Sequence, residues 1–292
     1  MGTKLLDLKN VDCKELCSHA LAAIAPRANI FNREEAVFRR ELAEVLDATK
    51  DTDGAIKLLI GITYDANEDD QVEKKVEDYL RLAEMYHDKE DSTQAEVYVN
   101  RVAHIIYKVD KRETQLRYNL ASTKCADSKR EFVRAAQGYY NLSTEQGIDA
   151  EVAPQMYHKS LVCTILSPAG PRKDRMLALL VNDDRAKLNP HYNLLQKMAT
   201  GGLIKREFAK AFEDALEVHQ KVKFSDGYTV LDKALIEHNI TVLSRIYTNI
   251  TFSELGIFLG ISATQGEKII SKMISERRVH AVLDQLHELV EF

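Results

Sequence analysis

Three alanines spaced forty residues apart, Ala55, Ala95 and Ala135, constrain the fold of this chain more than any other feature. Each opens a run of helical composition: Ala55-Ile56-Lys57-Leu58-Leu59, Ala95-Glu96-Val97-Tyr98-Val99 and Ala135-Ala136-Gln137-Gly138-Tyr139. A second anchor keeps the same offset, because Leu42-Ala43-Glu44-Val45-Leu46 returns as Leu82-Ala83-Glu84-Met85-Tyr86. A small residue at a fixed helical position lets a neighbouring helix approach closely. A helical hairpin repeated at this period is a stacking unit that buries its apolar face against the next copy. The connectors at 50–54 and 88–92 are polar and carry turn chemistry, and 65–70 reads as a further acidic loop.

The middle of the chain continues the helical pattern. Helices are expected over 156–166, 175–181, 191–198 and 203–218, with a polar loop at 221–228. Leu231, Leu235, Val242 and Ile246 then mark one face of a long helix.

The last 44 residues change character. Thr251-Phe252-Ser253-Glu254 is a capping box, in which a hydroxyl and the carboxylate three residues on satisfy orphan helix donors reciprocally; Ile250 and Leu255 occupy the staple positions around it. Phe252, Leu255, Phe258 and Leu259 form the apolar stripe of a helix that Gly260 is placed to stop in the left-handed conformation. Ser262-Ala263-Thr264-Gln265 starts a second helix with Ile269, Ile270, Met273 and Ile274 inside. Val279-His280-Ala281-Val282-Leu283 and Leu289-Val290-Glu291-Phe292 follow as two short strands. Helix, tight turn, helix and hairpin is the order of a winged helix. The expected fold is therefore mostly α: a right-handed α-solenoid of TPR-like hairpins over 1–220, a linker helix over 221–248, and a winged helix with a small β-hairpin over 249–292.

Charge weighs against nucleic acid. A DNA-reading helix brings Lys or Arg to phosphates, because counterion release supplies most of the affinity. The winged-helix segment holds four basic residues (Lys268, Lys272, Arg277, Arg278) against six acidic ones, and the whole chain carries a net charge of −5. A winged-helix nucleic-acid binder stays as the alternative from another class.

No cofactor or metal is expected, and no enzyme. The nine histidines are scattered and none lies in a zinc-hydrolase spacing. Cys13 and Cys17, with His19 nearby, fall short of the four ligands of a closed zinc site. Phosphate-cradling loops and the Gly-x-Ser-x-Gly nucleophile elbow are missing. In Glu237-His238-Asn239, adjacent residues on a helix point in different directions and cannot converge on one substrate atom; His238 is expected to be a packed, hydrogen-bonded residue. The sequence has no run of about 18 apolar residues, so no membrane partner is expected. Its first seven residues lack a signal-peptide core, and its four cysteines show no disulfide framework. Cytoplasm and nucleus are the expected location.

A helical-repeat arm running into a winged helix resembles the PCI-domain family, whose members are subunits of the proteasome lid, the COP-9 signalosome and translation initiation factor three. The residues carry the resemblance further. Glu237-His238-Asn239, Tyr247-Thr248-Asn249-Ile250-Thr251-Phe252-Ser253-Glu254-Leu255-Gly256 and Glu267-Lys268-Ile269-Ile270-Ser271-Lys272-Met273-Ile274 are similar to the subunit 4 branch in the signalosome. So are Cys163-Thr164-Ile165-Leu166 and Gln94-Ala95-Glu96-Val97-Tyr98-Val99-Asn100-Arg101. The paralogue in the proteasome lid shares the Glu-His-Asn helix and is the nearest alternative.

The resemblance implies a non-catalytic scaffold. Its partners would be other PCI-domain subunits of the signalosome, with the cullin–RING ligase as substrate of the complex and removal of the Nedd modifier as its reaction. It also implies further repeats before the position of Met1 and a helix after the last strand. Strand edges of the winged helix are where such subunits pair. The expected partner-binding residues are Arg277, Arg278, Val279, His280, Ala281, Val282, Leu283, Leu289, Val290, Glu291 and Phe292.

Overall fold

A computed structural model describes residues 10–27, 30–64, 71–149 and 151–292. The N-terminal stretch and the 65–70 acidic loop read from sequence lie outside the described residues, as does the side chain of Cys13. The chain groups into two compact units, Met1–Cys125 and Ala126–Phe292.

In the first unit the forty-residue recurrence becomes helical hairpins. Helix α1 (Asn10–Ile24) packs on α2 (Asn32–Ala48), which pairs with α3 (Thr52–Ile60); α4 (Val72–Asp88) pairs with α5 (Ser92–Ala103). Helix α6 (Arg112–Ser128) carries the division between the units, and α7 (Phe132–Thr144) follows it. The first helices of the three copies start at Asn32, Val72 and Arg112, and the second at Thr52, Ser92 and Phe132. Ala55, Ala95 and Ala135 are each fully buried, as close helix approach requires. Leu42, Leu59, Val76 and Leu80 fill the core of the first unit.

The turns repeat as faithfully as the helices, in a way composition hides. Lys50, Glu90 and Arg130 all adopt left-handed backbone, with φ of 64°, 60° and 63°. Around each, the same pair of hydrogen bonds closes the helix: Lys50 N–H to Asp47 O and Asp51 N–H to Leu46 O, then Glu90 to His87 and Asp91 to Tyr86, then Arg130 to Asp127 and Glu131 to Ala126. This is a Schellman ending, a position usually given to glycine because a Cβ is strained there. Asp51 and Asp91 then cap the next helix by accepting from Gly54 N–H and Gln94 N–H, each at 3.0 Å. Replacing Lys50 or Glu90 by glycine is expected to stabilise the chain by up to about 1 kcal/mol, read as a higher urea midpoint with unchanged slope.

The second unit continues with α8 (Val152–Leu166), α9 (Pro171–Val181), α10 (Tyr192–Ala199), the short α11 (Lys210–Asp214) and α12 (Val230–Ile246). Helices α8 and α9 each begin four residues earlier than their apolar pattern suggests. Pro154 lies in the first turn of α8 and Pro171 opens α9. Proline is tolerated there because first-turn N–H groups have no intrahelical partner.

The helix expected over 203–218 does not form. In its place are a 3₁₀ turn at Arg206–Ala209, α11, and a second turn at Val218–Gln220. Asn239 competes for the backbone here: its side chain accepts from Ile204 N–H and donates to Ile204 O, both at 2.9 Å. Helix α12 is buried on nearly every face, Leu231, Leu235, Ile240 and Leu243 among its core residues. Ile246, expected inside, is 63% exposed at the end of that helix.

Candidate assembly edge on the winged helix

From α12 the chain enters strand β1 (Asn249–Thr251), α13 (Phe252–Leu259), α14 (Ala263–Ser275), β2 (Val282–Asp284) and β3 (Leu289–Glu291). Both capping boxes form. Glu254 N–H donates to Thr251 Oγ1 at 3.1 Å while Thr251 N–H donates to the Glu254 carboxylate at 3.2 Å; Ser262 and Gln265 repeat the exchange at 3.3 Å. Gly260 ends α13 with φ of 68°, as its position suggests. Gly256 is required for another reason, since a Cβ there would lie 2.8 Å from Ile261 O in the turn between the two helices.

The core of this subdomain joins Ile250, Phe252, Leu255, Ile270, Met273 and Val290 to Ile236, Ile240 and Leu243 of α12. Phe258, expected in the stripe, is instead 44% exposed, its ring 5.8 Å from that of Tyr247. Ile269 and Ile274 are only half-buried.

The sheet has the order β1-β3-β2, all antiparallel. Strand β1 is not expected from the sequence, because its last residue, Thr251, also opens the capping box and three residues are too few to show alternation. Its presence matters: Ile250 pairs with Val290 and Leu283 pairs with Val290 from the other side. Leu289, Val290 and Glu291 thus form the interior strand with both edges paired. Among the described residues no strand pairs with the outer side of β2, so β2 is the open edge of the hairpin. The expected strand from Val279 is shorter than read; Val279, His280 and Ala281 precede it as irregular chain.

The candidate residues separate by depth. Val279 and Val290 are core residues. Leu283, Leu289, Ala281 and Phe292 are half-buried, while His280, Val282 and Glu291 are exposed. An open groove of about 480 Å³ runs beside β2, lined by Ile274, Arg277, Val279, His280, Ala281, Val282, Glu291 and Phe292. Its lining is mostly apolar, with Arg277, His280 and Glu291 as the ionisable side chains. The turn beyond β2 is organised by Asp284, which accepts from Leu286 N–H at 3.0 Å and His287 N–H at 3.1 Å. Leu286 at the tip is 92% exposed.

Arg277 and Arg278 look equivalent in sequence and are not. Arg277 takes the left-handed position after α14, φ 56°, and its side chain is exposed. The same Schellman turn swings Arg278 inward. Its guanidinium grips Glu237 of α12, with Nη2 2.9 Å from Oε1, and both side chains are about 15% exposed. The other Glu237 oxygen accepts from Ala169 N–H at 3.0 Å. Arg278 is therefore a tie inside the chain rather than a residue offered to a partner.

That pair explains the Glu-His-Asn motif. Glu237 holds the segment after α14, His238 Nε2 lies 3.1 Å from Gly202 O, and Asn239 holds Ile204. Glu237 thus fastens α12 to Ala169 and to the segment after α14, while His238 and Asn239 both fasten it to the stretch at 202–204. Burial, with Lys173 nearby, pushes His238 down to about 4, so its ring is neutral at physiological pH.

The carboxylates of Asp127 and Glu217 meet His219 in the second unit, but their oxygens and the ring nitrogens are engaged with one another. Cys17, Cys125 and Cys163 are buried thiols. Among the described residues no helix is long and apolar enough to cross a membrane.

Two family models match the chain: "PSMD12/CSN4, N-terminal" over residues 2–151 and "PCI domain" over residues 207–292. Among curated proteins, COP9 signalosome complex subunit 4 of Drosophila melanogaster is 36% identical, the alignment spanning the whole chain and 72% of the relative. The subunit of the same name from Arabidopsis thaliana is 32% identical, over 96% of this chain and 72% of the relative, and that from Dictyostelium discoideum 35%, over 95% and 71%. With identities and spans of this size in three such distant organisms, on a helical chain that ends in a PCI domain, this protein belongs to the COP9 signalosome subunit 4 family.

Proposed function

We propose that the chain is a non-catalytic scaffold of the COP9 signalosome. It assembles with other PCI-domain subunits through the open edge of its winged helix and helps position cullin–RING ligases for removal of the Nedd modifier. The observation that carries this reading is the unpaired outer side of β2 beside an apolar groove. An exposed strand edge presents backbone donors and acceptors that a neighbouring chain can complete, and pockets beside it take alternate side chains. The side chains of α14 support protein over nucleic acid as the partner. On α14, Gln265 already accepts from the Tyr228 hydroxyl at 2.7 Å, Glu267 from Gln285 at 2.9 Å, and Lys272 faces Glu276.

Val282 opens this edge strand and is 65% exposed, so its replacement leaves the core intact. Val282→Lys is expected to reduce co-purification with PCI-domain partners at least tenfold while the thermal midpoint stays within about a degree or two of wild type, since charge on an edge strand blocks pairing. Undiminished recovery of the partners by this variant would remove β2 as the assembly edge.

A further inference from the structure

A cluster of ionisable groups away from the assembly edge fastens the segment that leads into α12. His219 sits in the turn Val218–Gln220, its Nε2 3.1 Å from Asp127 Oδ1 and its Nδ1 3.5 Å from Glu217 Oε2. Asp127, on α6, is buried; it also accepts from Gln220 Nε2 and from the Tyr139 hydroxyl of α7, both at 3.3 Å. From α8, the Cys163 thiol bonds to the same carboxylate, and Lys159 pairs with Glu217 at 3.2 Å. These are the titratable and charged groups that face the ring from α6, α7, α8 and its own segment.

A neutral imidazole has one N–H and one lone pair, so it can donate to one of two flanking carboxylates; the imidazolium donates to both. A ring with an acidic oxygen opposite each nitrogen is therefore built for the protonated state. We propose that His219 is a proton-operated latch: protonated, it bridges Asp127 and Glu217 and clamps residues 217–229 onto α6, α7 and α8; deprotonated, it lets go of Glu217 and the segment loosens. The clamped stretch closes on itself through the Lys223–Thr229 bridge, and Thr229 is the capping residue of α12. The start of that helix is thus tied to the state of the ring.

The electrostatics point the same way. The hydrogen bond to Asp127 holds His219 above its ordinary value, against burial. Burial pushes Asp127 up, but its bonds to His219 and Gln220 outweigh that and leave it below the usual carboxylate range. The signs set a window. The raised His219 contributes stability that is complete below about 6.5, its unfolded value, and lost as pH rises through the folded one. The depressed Asp127 contributes stability that is present above about 3.9 and lost on acidification through its folded value. The latch is strongest between those limits and opens on the alkaline side.

The test uses the full chain. His219 is assigned by comparison with His219→Gln in proton–carbon NMR spectra and titrated. Amide exchange of residues 217–229 is followed from pH 6 to 8.5, corrected for the intrinsic pH dependence of exchange. The expected result is a His219 midpoint above the ordinary histidine value, with protection falling several-fold across it in wild type and staying level in His219→Gln. Glu217→Gln, at an exposed position, keeps the fold and is expected to move the midpoint down. A His219 midpoint at or below the ordinary value, an unmoved midpoint in Glu217→Gln, or the same loss of protection in His219→Gln would each overturn the latch.

Discussion

Replacing Glu237 by alanine is expected to destabilise the chain by about 3 kcal/mol, with urea unfolding as the measure. Glu237 and Arg278 are each about 15% exposed, and the pair is bidentate. Removing one partner of a fully buried pair leaves an uncompensated charge and costs about 3–5 kcal/mol; here Arg278 keeps the exposed Glu276 carboxylate 2.7 Å away, which offsets part of that loss. The residual exposure places this pair at the lower end. A second loss adds to it, because Ala169 N–H then has no acceptor. Glu237→Gln keeps an acceptor oxygen for Ala169 and is expected to recover part of the stability. Replacing both partners with methionine is expected to cost far less than the sum of the single changes, since no stranded charge remains. Additive single effects would mean that the two side chains do not act as a pair. A change under about 1 kcal/mol for Glu237→Ala would show that water already screens them.

The contrast between Arg277 and Arg278 shows where the sequence stops being legible. The two capping boxes and Gly260 are local signals, fixed by residues within a turn or two of one another, and the repeat period is a recurrence of such local signals every forty residues. All of them reappear in the structure because their physics is local. The inward turn of Arg278 depends on a partner 41 positions away, and nothing in the local pattern separates it from its neighbour. The same holds for Asn239, whose hold on Ile204 across 35 residues stops the helix that propensity favours over 203–218. Strand β1 was hidden for a different reason. Three residues are too few to show alternation, and the capping box explained the threonine without it. The open strand edge was legible as a region but not as an edge, since only the order β1-β3-β2 reveals that β3 lies inside and β2 outside. Left-handed Lys50, Glu90 and Arg130 were invisible because none is a glycine. Their forty-residue spacing is the signal that could have exposed them.

Lys173 is expected to make the chain more stable in mild alkali, by about 2 kcal/mol between pH 7 and pH 9. Its side chain is fully buried in α9, and its amine donates to Ile165 O at 2.9 Å and Ser167 O at 2.8 Å, closing the end of α8. Burial pushes the amine down to about 7, only partly opposed by Glu237 and Asp174. An unfolded lysine titrates near 10.4, so between the two values the unfolded chain binds the extra proton. Stability then rises with pH through that window, the direction opposite to that of the His219 latch. The two effects are separable by subtraction, because Lys173→Met removes the first and leaves the second. That variant also strands two carbonyls, a penalty of about 1–3 kcal/mol per group at most, independent of pH. The difference between wild type and Lys173→Met is therefore expected to widen steadily from pH 7 to pH 9. Parallel stability curves for the two proteins would mean that Lys173 stays charged in the folded state, its two carbonyls and Glu237 outweighing the loss of water.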